Sequence, residues 1–130
     1  MDSLERLLQK CPETNFLGRA PGFWANISND GRHETEGYPE GEVVEGGRIL
    51  SLLDKYPNLY CDCSGGSGLN ALSRDAAFAK TFMTAYQDRV CHGRDGFGMD
   101  LQDFVNALGL EQAVLDKFYY QNALKLTHEL

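Results

Sequence analysis

A chain of 130 residues, 42% hydrophobic and 24% charged, has enough apolar material for one modest core, so a single domain over residues 1–130 is expected. Its net charge of −7, with 12 basic residues spread along the chain rather than clustered, argues against nucleic acid or an anionic membrane surface as partner. No apolar stretch has the length of a bilayer span. The first twenty residues carry Asp2, Glu5, Arg6 and Lys10 instead of an apolar signal core, so the expected compartment is the cytoplasm, with Cys11, Cys61, Cys63 and Cys91 as reduced thiols.

In chain order, Asp2 and Glu5 have capping-box spacing and Leu4, Leu7 and Leu8 share one helical face, which predicts a short opening helix ended by Pro12. A brief strand, Thr14 to Gly18, follows. Residues 19 to 45 are rich in Gly, Asn, Glu and Pro and predict one long loop, of the kind that either covers a working site or stays disordered. Within it, Asn26-Ile27-Ser28 fits a glycosylation acceptor, which a chain without export does not use. Ile49, Leu52, Leu53 and Tyr56 predict a second helix, closed by Pro57-Asn58 before a strand over Leu59 to Cys63. Ser64 to Gly68 reads as a turn into a third helix, with Ser73 or Asp75 as its cap and Ala79, Phe82, Met83 and Tyr86 on one face. Val90 to Gly93 predicts a third strand. Leu101, Phe104, Val105 and Leu108 predict a helix ending at Gly109, and Val114, Leu115, Phe118, Ala123 and Leu124 a last helical stretch in which Phe118, Tyr119 and Tyr120 pack.

Short strands alternating with amphipathic helices predict an α/β fold with a parallel sheet and right-handed crossovers. Three strands leave two open edges, so a lone copy should self-associate. In such folds the working groups stand at the carboxyl ends of strands, which singles out Arg19, Asp62 to Ser64 and Asp95. Strand alternation puts Leu17 with Arg19 on one face, and Cys91 with Gly93 and Asp95 on one face, so Arg19 and Asp95 look into the same mouth if those faces point inward. Asp95 is equally a candidate helix cap or partner of Arg94 or Arg19. Cys61 and Cys63 lie on one strand face, either as core packing or, joined by Cys91, as a thiolate site. The glycines of residues 65–68 lack the Lys-Ser/Thr ending of a phosphate loop.

Three segments, Phe16-Leu17-Gly18-Arg19-Ala20-Pro21-Gly22-Phe23-Trp24, Tyr60-Cys61-Asp62-Cys63-Ser64-Gly65-Gly66-Ser67-Gly68-Leu69-Asn70-Ala71-Leu72 and Gly93-Arg94-Asp95, resemble the later part of the amidohydrolase-related family, metal-dependent hydrolases and related decarboxylases on a TIM-like (β/α)8 barrel. The resemblance runs from the helix before strand six to the closing helices. It implies the C-terminal part of that barrel, about three β/α units, with a small-molecule substrate once the barrel is complete. It also implies a divalent metal, zinc or manganese, in the intact family, with Asp95 as metal ligand and catalytic carboxylate. Arg19, Phe23 and Trp24 stand where they would meet substrate, the two aromatics equally well placed to plug the core.

The chain departs from the family pattern at Arg19, which occupies the place of a metal-centre histidine. A guanidinium has no lone pair to offer and repels a divalent ion. Arg94 stands where the family has a small hydroxyl residue, and the family's His-x-His of strand one and His of strand five would lie upstream of Met1. The remaining histidines do not fill the gap: His33 lies in the long loop, His128 at the chain end, and His92 should face the helices. Two readings follow. The chain is the C-terminal segment of a metal-dependent hydrolase, inactive alone and completed by an N-terminal polypeptide, or it is a noncatalytic remnant that survives as a homo-oligomer.

Overall fold

Three short strands, β1 (Phe16–Gly18), β2 (Leu59–Asp62) and β3 (Val90–Cys91), form a parallel sheet in the order β1-β2-β3 in the computed structural model, which describes residues 1–127. Helices α1 (Asp2–Lys10), α2 (Pro21–Trp24), α3 (Arg48–Lys55), α4 (Gly65–Ser73), α5 (Ala76–Ala85), α6 (Asp100–Ala107), α7 (Gln112–Asp116) and α8 (Asn122–Thr127) precede, link and follow the strands, with a wider π turn over Lys117–Gln121 joining the last two. His128 lies outside the described residues. No helix among the described residues is long and apolar enough to cross a membrane.

The register pairs Gly18 with Cys61 and Cys61 with Val90, and these side chains face the helices. Leu8, Ile27, Ile49, Leu52, Leu53, Leu72, Phe82 and Phe118 complete that core, each at most 2% exposed. The Ile49, Leu52, Leu53 and Ala79, Phe82, Met83 stripes point where the helical period puts them, whereas Leu7 of the opening helix and Tyr120 and Leu124 of the last stretch, expected to pack, stand about half exposed. The opposite face carries Leu17, Tyr60, Asp62 and Cys91. Leu17 remains 49% exposed there, because nothing among the described residues pairs with β1 beyond it.

Several local expectations give way to tertiary contacts. The capping box of α1 does not form, since the helix has no side-chain cap. Glu5 instead accepts from Lys55 Nζ (2.8 Å), from the Tyr56 hydroxyl (2.9 Å) and from Arg48, which also holds Asp2. The Lys55 and Tyr56 hydrogen bonds draw the Glu5 carboxyl below its ordinary pKa, and the carboxylate serves to tie α1 to α3. The glycine-rich stretch is not a turn but the first part of α4. Its Gly68 lies so close to β2 that an added Cβ would sit 2.8 Å from the Cys63 Cα, so only glycine permits this helix-to-strand approach. What reads as one third helix is two, α4 and α5, the second capped by Asp75 accepting the Phe78 N–H at 2.9 Å.

One of the two expected open edges is closed. On the outer side of β3, the His92 N–H donates to the Phe118 carbonyl (2.9 Å) and the Val90 carbonyl accepts from the Asn122 amide (2.9 Å). Phe118 belongs to the π turn, where carbonyls leave the regular ladder and are free to accept elsewhere. The β1 edge has no such cover among the described residues.

The long loop is not structureless. Residues 21–27 coil into α2 and a 3-10 turn, and a second 3-10 turn spans Arg32–Glu34. Arg74 holds the remainder: it donates to Asp30 and to the carbonyls of Gly41 (2.8 Å) and Glu42 (3.1 Å). Asn26, in the acceptor tripeptide, is buried with its amide on the Gly22 carbonyl.

Candidate functional site

The three strand ends converge. Arg19 leaves β1, Asp62 closes β2, and Asp95 follows β3. The Arg19 Nη2 donates to both Asp95 oxygens, at 3.1 and 2.9 Å, and its Nε stands 3.8 Å from Asp62 Oδ2. Asp62 is itself fixed, with Oδ1 accepting the Ser64 N–H at 2.7 Å and its main-chain carbonyl accepting the Trp24 indole N–H at 2.9 Å. Arg19 and Asp95 are half exposed, and Asp62 less so. Strand alternation thus brings Arg19 and Asp95 into one mouth, and of the partners open to Asp95 it takes Arg19.

Ala20, the next residue, has φ 71° and ψ 168°, a region that L residues enter at a cost of about 1–3 kcal/mol. Its carbonyl accepts the N–H groups of Phe23 and Trp24, so the strained peptide starts α2 while turning Arg19 toward Asp95. Gly65 sits at the other side of the carboxylate. It has φ +75°, and a Cβ there would lie 2.8 Å from Asp95 Oδ2. The left-handed backbone favours glycine here, and any side chain would also push the Asp95 carboxylate aside.

Of the two roles open to Phe23 and Trp24, packing is the one realised in this chain. Trp24 is 1% exposed, edge-on to Phe23 (5.5 Å between centroids) and Phe82 (6.4 Å). Arg94 is exposed and donates to the carbonyls of Gly96 and Gly98 within its own loop.

His92 does face the helices, edge-on to Phe118 and tilted against Tyr119. Burial chiefly, and Arg94 next, lower its pKa, against a smaller opposing pull from Asp62. Above the ordinary histidine value of about 6.5 the ring is neutral in both folded and unfolded chains. As pH falls through that value the unfolded chain takes the proton first, so stability drops until the folded ring protonates as well. A urea-denaturation series from pH 7.5 to 5 is expected to show this loss in the wild type and a flatter profile in His92→Gln; parallel profiles would show that His92 does not titrate with folding.

The cysteines form no joint site. Cys61 and Cys63 face the core, while Cys91 is level with Asp62 on the opposite face. Burial raises the pKa of all three thiols, that of Cys91 to about 11. Such groups stay protonated near neutral pH.

The residues at the mouth do not fit a divalent ion. Zinc takes about three protein donors in a catalytic site. Here both Asp95 oxygens are taken by a guanidinium, which stands between the two carboxylates where a cation would have to sit. Among the described residues no three His, Cys, Asp or Glu side chains are grouped to hold an ion. The departure read at Arg19 is therefore expressed in the geometry, with the arginine supplying the positive charge.

Two positions had no signal in the sequence: Arg74, which belongs to no motif yet pins the loop, and Gln102, which reads as surface in an amphipathic helix yet is buried. A family model described as Amidohydrolase matches residues 42–127, more than half of the chain, taking in β2, β3 and the helices α3 to α8. No curated protein and no solved structure matches the chain.

Proposed function

Because the chain belongs to the amidohydrolase family, we propose that it is the strand-end section of a TIM-like hydrolase barrel, catalytically silent alone and completed by further strands added along β1. The observation that carries this reading is the pairing of Arg19 with Asp95 at the carboxyl ends of parallel strands, beside one sealed edge and one open edge. The half-exposed Leu17 on the inner face supports it, because burying that side chain requires a neighbour on the β1 side.

In the completed barrel Asp95 is the carboxylate that accepts a proton from water or substrate. Arg19 is the anchor for a substrate carboxylate or carbonyl oxygen, since its Nη1 has no partner among the described residues and its side chain is half exposed. The class of reaction is hydrolysis at a carbonyl carbon, with loss of CO2 from a carboxylated substrate as the alternative. A second reading, a noncatalytic self-associating protein, is favoured by the same ion pair: Arg19 neutralises the one carboxylate the family uses for chemistry. The completing strand then comes from a second copy.

Calorimetric titration with zinc and with manganese separates retained metal chemistry from both readings. No heat that Asp95→Asn abolishes is expected in the wild type. The variant Arg19→Ala should stay folded, since a half-exposed ion pair contributes about 0–1 kcal/mol. Stoichiometric zinc lost in Asp95→Asn would overturn the assignment of Arg19 as the resident cation. Native mass above one chain is expected, and a monomer at all concentrations would overturn strand addition by a second copy.

A further inference from the structure

The chain has two Asp-Gly steps, Asp30-Gly31 and Asp95-Gly96, and the fold treats them oppositely. We propose that Asp95-Gly96 is a self-modification site, at which the Gly96 nitrogen closes on the Asp95 side chain and converts it to isoaspartate, and that Arg19 sets the rate. The reaction needs only this loop and water, so it does not depend on a completed barrel.

In the first step the Gly96 nitrogen bonds to the Asp95 Cγ, and one carboxyl oxygen leaves as water with the amide proton and a proton from solvent. The product is a cyclic imide, the succinimide. In the second step water adds to either of its carbonyls. Breaking the bond from nitrogen to Cγ restores aspartate, whereas breaking the bond from nitrogen to the main-chain carbonyl carbon leaves isoaspartate, with the chain running through Cγ and the free carboxylate on Cα. Nothing is oxidised or reduced.

Asp95 has what both steps need. Its side chain is 51% exposed, so water reaches the reacting carbonyls. The attacking nitrogen must be unshielded and unengaged, and Gly96 meets both conditions: beyond its chain neighbours nothing lies within 4 Å of where a Cβ would stand, and its N–H makes no hydrogen bond among the described residues. Glycine also gives the backbone the freedom to bring that nitrogen against Cγ. Residues 95–97 bend outside any helix or strand, Phe97 is fully exposed, and the bonds from Arg94 to the Gly96 and Gly98 carbonyls are internal to the loop, so little packing opposes the motion. The carboxyl itself is restrained by Arg19, whose Nη2 holds both oxygens. That pair must open before Cγ can turn, and a half-exposed pair opens easily.

Asp30 is the built-in control. The Gly31 N–H is equally free among the described residues, so the carboxyl decides. The Asp30 side chain is 13% exposed and accepts from Arg74, itself 2% exposed, while its Oδ1 accepts the Arg32 N–H at 3.0 Å. Turning that Cγ onto the Gly31 nitrogen separates a buried ion pair, which is far costlier than opening an exposed one. At Asp95 the product changes the mouth. The isoaspartyl carboxylate is one methylene closer to the main chain and withdraws from Arg19, which is left with Asp62, 3.8 Å away.

The test is ageing of the full chain in neutral buffer at body temperature, folded and in urea, followed by peptide mapping with electron-transfer fragmentation, which tells isoaspartate from aspartate. The folded chain is expected to accumulate isoaspartate at Asp95 and not at Asp30, and the unfolded chain at both. Arg19→Ala, with its circular dichroism spectrum as the check on folding, should age at Asp95 about two- to fivefold faster, the equivalent of one exposed ion pair, with Asp30 unchanged. Gly96→Val, at a position whose backbone is not left-handed, should stop the reaction at Asp95, because a branched side chain shields the nitrogen. Equal accumulation at both residues in the folded chain, none at Asp95 in the folded chain, an unaltered rate in a folded Arg19→Ala, or a continuing reaction in a folded Gly96→Val would each overturn the proposal.

Discussion

Replacing Arg74 by alanine is expected to destabilise the fold by about 3–5 kcal/mol, the range for breaking a buried ion pair from one side. Its side chain is 2% exposed and that of Asp30 13%. Besides Asp30 the guanidinium holds two main-chain carbonyls at the surface, those of Gly41 and Glu42, so its removal leaves one largely buried charge unpaired and unties the loop. Burial alone would raise the Asp30 pKa, but the hydrogen bonds from Arg74, the Arg32 N–H and Ser28 hold it below the ordinary value. Without Arg74 that balance reverses, and the carboxyl should be driven up and out toward solvent. Urea denaturation measures the loss, and limited proteolysis should localise it to residues 28–45, the segment the arginine pins. The double variant Asp30→Leu with Arg74→Met, which removes both charges and keeps the volume, should lose much less than Arg74→Ala. A loss below about 1 kcal/mol in Arg74→Ala would show that the loop is held by something else.

The second large effect is expected at Trp24. Truncation to alanine should cost about 3–5 kcal/mol, as for a large aromatic removed from a closed core, because the ring fills the space between Phe23, Phe82 and the strand ends. The more informative variant is Trp24→Phe. It retains most of the packing but leaves the Asp62 carbonyl without the indole N–H that reaches it at 2.9 Å, a loss of about 1–3 kcal/mol for an unmatched buried acceptor. Since Asp62 stands 3.8 Å from the Arg19 Nε, the same variant should loosen the mouth, visible as increased amide exchange at residues 62–65. Equal stability of Trp24→Phe and wild type would mean that the indole contributes bulk alone and does not brace the strand end.

Several features of the mouth were readable before any coordinates. The parity of a strand put Leu17 with Arg19, and the position of strand ends in parallel folds put Arg19, Asp62 and Asp95 together. Those inferences rest on repeats of two residues and on a topology that leaves little choice. That Arg19 cannot serve as a metal ligand was equally readable, since no geometry gives arginine a lone pair to donate. The local readings that failed share one cause. The capping box at Asp2 and Glu5 lost to Lys55, Tyr56 and Arg48, partners more than 40 residues away. The glycines after Ser64 favour a turn locally, but the close approach of α4 to β2 uses them inside a helix.

The sequence by itself determined the phases of α3 and α5 and the alternation of three short strands with helices, because each follows from spacing that no folding changes. Only the tertiary structure decided which of its possible partners Asp95 would take, that Trp24 would brace a strand end, and that Phe118 and Asn122 would seal β3. Each of these is a pairing between groups far apart in the chain, whose free energy depends on burial and direction. Spacing along one strand or helix carries no information about either.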